Sequence, residues 1–330
     1  MRPKHFAIGL TVAAAILATA SPAQAQDEKR PVFAPEVKTS ARVTPGYWTP
    51  ERMRNAKPLP APADLGKGRK ATTTVPKGKR VAIAPTRGTR STSTTATAAT
   101  VQDVTSPQPW NGGGGIAANG GKLFMHFSHG DYVCSAAVVS SDNRDSVATA
   151  AHCIFDRAQG QWAQHVTFVP GYKSGSKPYA EWTARTMVMS TGWSNPSTPT
   201  PENYDFAIVV TSPIGAFHIQ DVVGSQGAIF NHARHPYSYL FGYPVAISGG
   251  EIMQYCSGPT YDDPAARVDH ESITCGMTGG SSGGPLVEQF DPATGSGYVI
   301  GVNSLVWSNI NFGTYLGDDA LSVYNAGGSA

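Results

Sequence analysis

From residue 122 onward the apolar residues come in short runs and not at helical spacing. KLFMHF (122–127), YVCSAAVV (132–139), SVATAA (146–151), HVTFV (165–169), ARTMVM (184–189) and FAIVV (206–210) form a first series. YLFGY (239–243), EIMQYC (251–256), SITC (272–275), PLVEQF (285–290) and GYVIGVNSLVW (297–307) form a second. Each run is rich in β-branched or aromatic residues and is bounded by Gly, Pro, Asn, Asp or Ser, which predicts about a dozen strands. A short helix is expected only near the end, at DDALSVYN. Long amphipathic helices alternating with strands are missing, so the pattern predicts an all-β antiparallel barrel or sandwich.

The pattern changes before residue 111. Residues 26–110 are rich in Pro, Thr, Ala, Lys and Arg, with neither period sustained, and read as a pro-segment or linker without regular structure. They carry 15 Lys/Arg against 6 Asp/Glu, a net of +9, whereas residues 111–330 carry 8 against 17, a net of −9. A basic segment beside an acidic domain suits either a polyanion-seeking tail or an intramolecular pro-segment held by charge. Aromatic residues are too sparse among the basic ones for a nucleic-acid platform, so no nucleic-acid partner is expected.

Residues 1–25 read as a secretory signal. Arg2 and Lys4 precede the apolar run Phe6 to Ala20, and Ala23-Gln24-Ala25 offers a small-x-small cleavage site. That run is shorter than the ~20 residues of a spanning helix, so a secreted, extracellular protein is expected, with no membrane contact after signal removal. Residues 111–330 suit one compact unit, and a monomer is expected. All four cysteines, Cys134, Cys153, Cys256 and Cys275, lie there, which favours two disulfides. Three pairings are open, of which the sequence-local one closes two loops of similar length. Without a CxxC pair or clustered Cys/His spacing, no metal site is expected.

Three places could carry chemistry. His152 follows a run of small residues and adjoins Cys153, a tethered mount suited to a general base. Asp205 stands at the mouth of the apolar run FAIVV, where a carboxylate needs a partner, and an imidazole would supply one. GMTGGSSGGPLV (276–287) places two serines between glycines and enters a strand directly. A serine hydroxyl needs a base to become nucleophilic and backbone N–H groups around the developing oxyanion, and flanking glycines let a tight turn aim those groups inward.

TAAHC around His152, NYDFAIV around Asp205 and GSSGGP from Gly280 to Pro285 resemble the three catalytic segments of trypsin-like (chymotrypsin-fold) serine endopeptidases. The order His, Asp, Ser and the separations of 53 and 77 residues match as well. The resemblance covers residues 111–330 and implies two six-stranded antiparallel β-barrels with the site between them. The secreted bacterial, glutamyl-endopeptidase-like branch is the nearest in flavour. It implies Ser282 as nucleophile, His152 as base and acid, Asp205 as its orienter, and the N–H groups of Gly280 and Ser282 as oxyanion donors. Cys134 with Cys153 matches the disulfide that brackets the family's histidine. Ser281 stands where many members have Asp, which puts their activation by a new amino terminus in doubt.

By the same resemblance Gly276 floors the specificity pocket and Gly301, Asn303 and Ser304 belong to its wall. A floor without a carboxylate disfavours Lys or Arg, and Asn303 replaces the histidine usual for glutamate, which leaves small or apolar side chains. The expected partner is a peptide or protein substrate, and no metal or organic cofactor is called for. Gly280 to Gly284 also satisfies G-x-S-x-G, but the last histidine, His270, precedes the serine, against the order of α/β-hydrolases. A non-catalytic binding or adhesion protein on a protease scaffold is the alternative of a different class.

Overall fold

A computed structural model of the protein describes residues 31–33, 44–59, 70–71, 74–90 and 102–330. The expected signal peptide, 1–25, lies outside the described residues. Six strands, β1 (Gly120–Phe127), β2 (Gly130–Val138), β3 (Ser146–Thr149), β4 (Gln164–Pro170), β5 (Trp182–Ser190) and β6 (Ala207–Thr211), form the first half. Their antiparallel pairings run β1-β2-β3-β6-β5-β4 and return to β1, so this is a closed barrel. Closure leaves no open edge in the ring and explains why β6, AIVVT, is buried along its whole length. Its outer face is covered by the terminal helix α2 (Asp318–Gly328), which packs on β6 and β5.

The second half has β7 (Tyr237–Gly242), β8 (Gln254–Pro259), β9 (His270–Thr274), β10 (Pro285–Asp291), β11 (Ser296–Trp307) and β12 (Ile310–Thr314). They pair in the row β9-β12-β11-β10-β7-β8. The expectation of two barrels is therefore corrected here: the second sheet is open between β8 and β9. The free edge of β8 is occupied instead by the strand Val104–Pro109, and the gap is spanned by the Cys256–Cys275 disulfide and a bridge between Tyr261 and Ser272. The other disulfide is Cys134–Cys153, so the sequence-local pairing is the one formed.

Parts of the stretch expected to lack regular structure are folded onto these two sheets. Residues 44–59 include a helix, α1 (Pro50–Asn55), capped by the Thr49 hydroxyl and entered through Pro50. Trp48, Met53 and Leu59 are buried in the main core, which runs through both halves. The strand Val81–Ile83 pairs with Gly227–Phe230 in the second sheet, and Val75 donates its N–H to Asp269 at 2.7 Å. Apolar anchors this far apart have no periodicity to announce them.

Candidate active site

His152 sits in a single 3₁₀ turn, Ala151–Cys153, just past β3. Cys153 ties that turn to Cys134 in the middle of β2. Asp205 follows the 3₁₀ turn Pro201–Tyr204 and is separated from β6 by Phe206 alone. Because β3 and β6 are paired neighbours, the two residues converge at one end of the closed barrel. One Asp205 oxygen accepts the His152 backbone N–H at 2.8 Å, and the other lies 2.7 Å from the imidazole Nδ1.

The Ser304 hydroxyl also donates to Asp205, at 2.6 Å, and the Thr314 hydroxyl donates to its backbone carbonyl at 3.1 Å. Asp205 is fully buried and His152 nearly so. Burial by itself raises the Asp205 carboxyl, but the His152 charge and hydrogen bonds, with the Ser304 hydroxyl, outweigh it and hold the group below the usual carboxylate range. An ionised Asp205 fixes the imidazole with its proton on Nδ1 and leaves Nε2 as the acceptor. Nε2 is buried and has no hydrogen-bond partner among the described residues.

The glycine turn before β10 is cross-linked to the first barrel by one residue of β2. Ser135 takes the Ser282 carbonyl on its backbone N–H (2.7 Å), donates its hydroxyl to the Gly280 carbonyl (2.8 Å) and accepts the Tyr243 N–H (2.9 Å). Gly280 and Gly283 have φ of +97° and +77°. A Cβ at Gly280 would lie 2.6 Å from the Tyr243 carbonyl, and one at Gly283 would lie 2.1 Å from the Thr149 hydroxyl, so only glycine fits both the backbone and the space.

The two serines of this turn differ in their bonds. Ser281 donates its hydroxyl to the Thr278 carbonyl at 2.6 Å and accepts from Asn303 Nδ2 at 2.9 Å. The Ser282 hydroxyl makes no hydrogen bond among the described residues, and neither do the backbone N–H groups of Gly280 and Ser282.

Of the four residues assigned to a pocket, Gly276 and Asn303 meet through Asn311. That buried side chain accepts the N–H groups of Gly276 and Met277 at 2.8 and 2.9 Å and donates to Asn303 Oδ1 at 3.1 Å. Gly301 instead packs against the backbone of β12, where a Cβ would lie 2.8 Å from the Thr314 carbonyl. Ser304 is turned to Asp205. Sequence reasoning missed Ser135 and Asn311: the only signal for Ser135 was a small polar residue inside a strand-like run, and Asn311 lies in a stretch with no strand signal.

Cys134, His152 and Cys153 form the one cluster of metal-ligating residue types among the described residues, and its sulfurs are joined to each other, so they offer no thiolate. No described helix is long and apolar enough to cross a membrane.

No family model matches the chain. The crystal structure of the protease Anisep from Arthrobacter nicotinovorans is similar, with a TM-score of 0.60 and 36% identity over 64% of this chain and 96% of that one. A thermostable serine protease, AL20, from an extremophilic microorganism aligns with a TM-score of 0.61 and 33% identity over 66% of this chain and 99% of that one. A glutamyl endopeptidase of Bacillus licheniformis is 30% identical over 180 residues, 52% of this chain. The match spans 51%, about half, of that relative's length. With the His–Asp pair buried between a closed barrel and a second antiparallel sheet, this likeness over nearly the whole of two proteases places the chain in the bacterial serine proteases of chymotrypsin-like fold.

Proposed function

We propose that the protein is a secreted serine endopeptidase that cleaves peptide bonds through an acyl-enzyme on Ser282. The observation that carries this reading is the contrast between the adjacent serines: Ser281 is committed to two structural bonds, whereas Ser282 keeps its hydroxyl unengaged among the described residues. Ser282 also stands in a turn joined by Ser135 to the strand that the Cys134–Cys153 bridge ties to His152.

In the proposed reaction His152 Nε2 takes the Ser282 proton as the oxygen attacks the scissile carbonyl, and Asp205 stabilises the imidazolium that results. The N–H groups of Gly280 and Ser282, unengaged among the described residues, receive the oxyanion as charge develops. His152 then returns the proton to the leaving amine, and water repeats the sequence on the ester. Residues 1–25 would direct export, and parts of 26–110 would be removed outside the cell.

Small or apolar side chains are proposed beside the cut, since Gly276 brings no charge and its N–H is already taken by Asn311. The likeness to a glutamyl endopeptidase supports a second reading, cleavage after glutamate, against which stands Asn303 with its amide engaged by Ser281 and Asn311. A peptide-library profile separates them: dominance of Glu at the cut overturns the first reading. Comparing Ser282→Ala with Ser281→Ala tests the mechanism. Ser282→Ala is expected to fold normally and lose turnover by about 10⁶-fold, while Ser281→Ala loses mainly stability. Equal losses in turnover per folded molecule would contradict the assignment.

A further inference from the structure

The edge of β2 that faces the site is shared. β1 pairs with β2 along its whole length, but β3 takes the other edge only at Ala137 and Val138. Ser135 on that edge binds the Ser282 carbonyl. Two and three residues upstream, Val133 and Tyr132 are paired in parallel with Pro58 and Lys57 of the N-terminal segment. Leu59 continues the contact by donating its N–H to the Val133 carbonyl at 3.3 Å and is itself buried. Pro58 reaches the catalytic turn as well, its Cβ lying 3.0 Å from the Cβ position of Gly279, the neighbour of Gly280.

The segment is latched to the barrel some residues earlier. Tyr47 stacks on His165 with ring centroids 3.8 Å apart and donates its hydroxyl to Asp131 at 2.7 Å. Arg52 pairs with Asp131 at 2.8 Å and lies over the Tyr47 ring. His126 Nδ1 also meets Asp131, at 2.8 Å, and Trp48 donates its indole N–H to the His165 carbonyl.

An exposed strand edge is a template for an incoming extended chain, through main-chain hydrogen bonds that do not depend on sequence. A peptide that continued past Ser282 by pairing with the β2 edge would need the positions that Lys57–Leu59 fill. We propose that the β2 edge at Tyr132–Val133, with Gly279, is a docking surface whose occupant is this chain's own residues 57–59, and that their docking blocks long peptides while leaving Ser282 open to small phosphonylating reagents. The inference rests on the proposed hydrolase reading. The latch acts at a distance, holding the blocking strand at high local concentration.

The test uses the full chain and two variants, Leu59→Asp at the rim and Arg52→Ala at the exposed latch, so that misfolding of one leaves the other. Three quantities are read: phosphonylation by a small fluorophosphonate, kcat/KM for a long peptide, and hydrogen exchange of the Leu59 amide, which in Leu59→Asp is that of the new residue. Equal phosphonylation in all forms, with faster exchange at position 59 and a gain of about tenfold on the long peptide in both variants, is expected if the strand is undocked about a tenth of the time in the parent. Equal long-peptide rates despite faster exchange would overturn the blocking role. Absence of phosphonylation in every form would instead overturn the hydrolase reading, and the blocking role with it.

Discussion

In the first barrel every strand of the ring has a hydrogen-bonded neighbour on both sides, and His152 and Asp205 are fixed within it by a disulfide and direct bonds to each other. In the second sheet the row ends between β8 and β9, and the Ser282 turn is held from two sides: Asn303 of β11 exchanges backbone bonds with Gly283 and Gly284, and Ser135 of the barrel binds Gly280 and Ser282. The contrast assigns different vulnerabilities. A base held by a closed ring fails through loss of its partner's chemistry, whereas a nucleophile held by a cross-link also fails through loss of position.

The contrast predicts graded effects. After Ser282→Ala, the largest loss is expected from Asp205→Asn, about 10⁴-fold in kcat, because the amide can present its NH₂ to Nδ1 and force the wrong tautomer with little change in shape. Single-turnover acylation measures it, and a loss below about tenfold would mean the Asp205 charge is not used. Ser135→Ala comes next. It leaves the Tyr243 N–H and the Gly280 carbonyl without their partner, at about 1–3 kcal/mol of stability, and is expected to lower kcat by about 10²-fold through displacement of the turn. Unchanged kcat with lowered stability would show that the second sheet holds the turn unaided.

The smallest effect concerns pH and the N-terminal latch. Burial, then the neighbouring His126 and Arg52 charges, lower the His165 pKa, with Asp131 opposing them. Burial tends to raise Asp131, but the Tyr47, His126 and Arg52 contacts outweigh it and lower the carboxyl. Both groups therefore bind protons more readily when the latch is undone. Docking is at full strength above the ordinary imidazole pKa of about 6.5 and weakens as pH falls below it, then further below the ordinary carboxylate value of about 3.9. Exchange of the Leu59 amide should accelerate severalfold, after correction for intrinsic exchange, between about pH 7 and 5, well short of the gain from Leu59→Asp. A flat corrected profile would detach the latch from His165.

The strand runs were legible because buried antiparallel strands concentrate β-branched and aromatic residues between turn formers, and each of the eleven runs overlaps an observed strand. The strand Ile310–Thr314 was not read, since INFGT is interrupted by Asn and Gly and its two-residue turn, Ser308–Asn309, lacks the usual glycine. The meeting of His152 with Asp205 was legible from their settings together with the family resemblance. Ser135 was not, because a cross-link made by one hydroxyl and one backbone N–H between distant strands leaves no periodic trace. The folding of residues 44–59 was missed for a related reason: Tyr47, Trp48, Met53 and Leu59 are apolar anchors spaced irregularly among prolines and basic residues.

Catalysis by this site depends most on which serine carries the unengaged hydroxyl. Mass mapping of the full chain after reaction with a fluorophosphonate decides it, with fragmentation placing the adduct within residues 276–287. A single adduct on Ser282 that disappears in His152→Ala is expected. An adduct on Ser281, or one on Ser282 that persists at the same rate without His152, would contradict it.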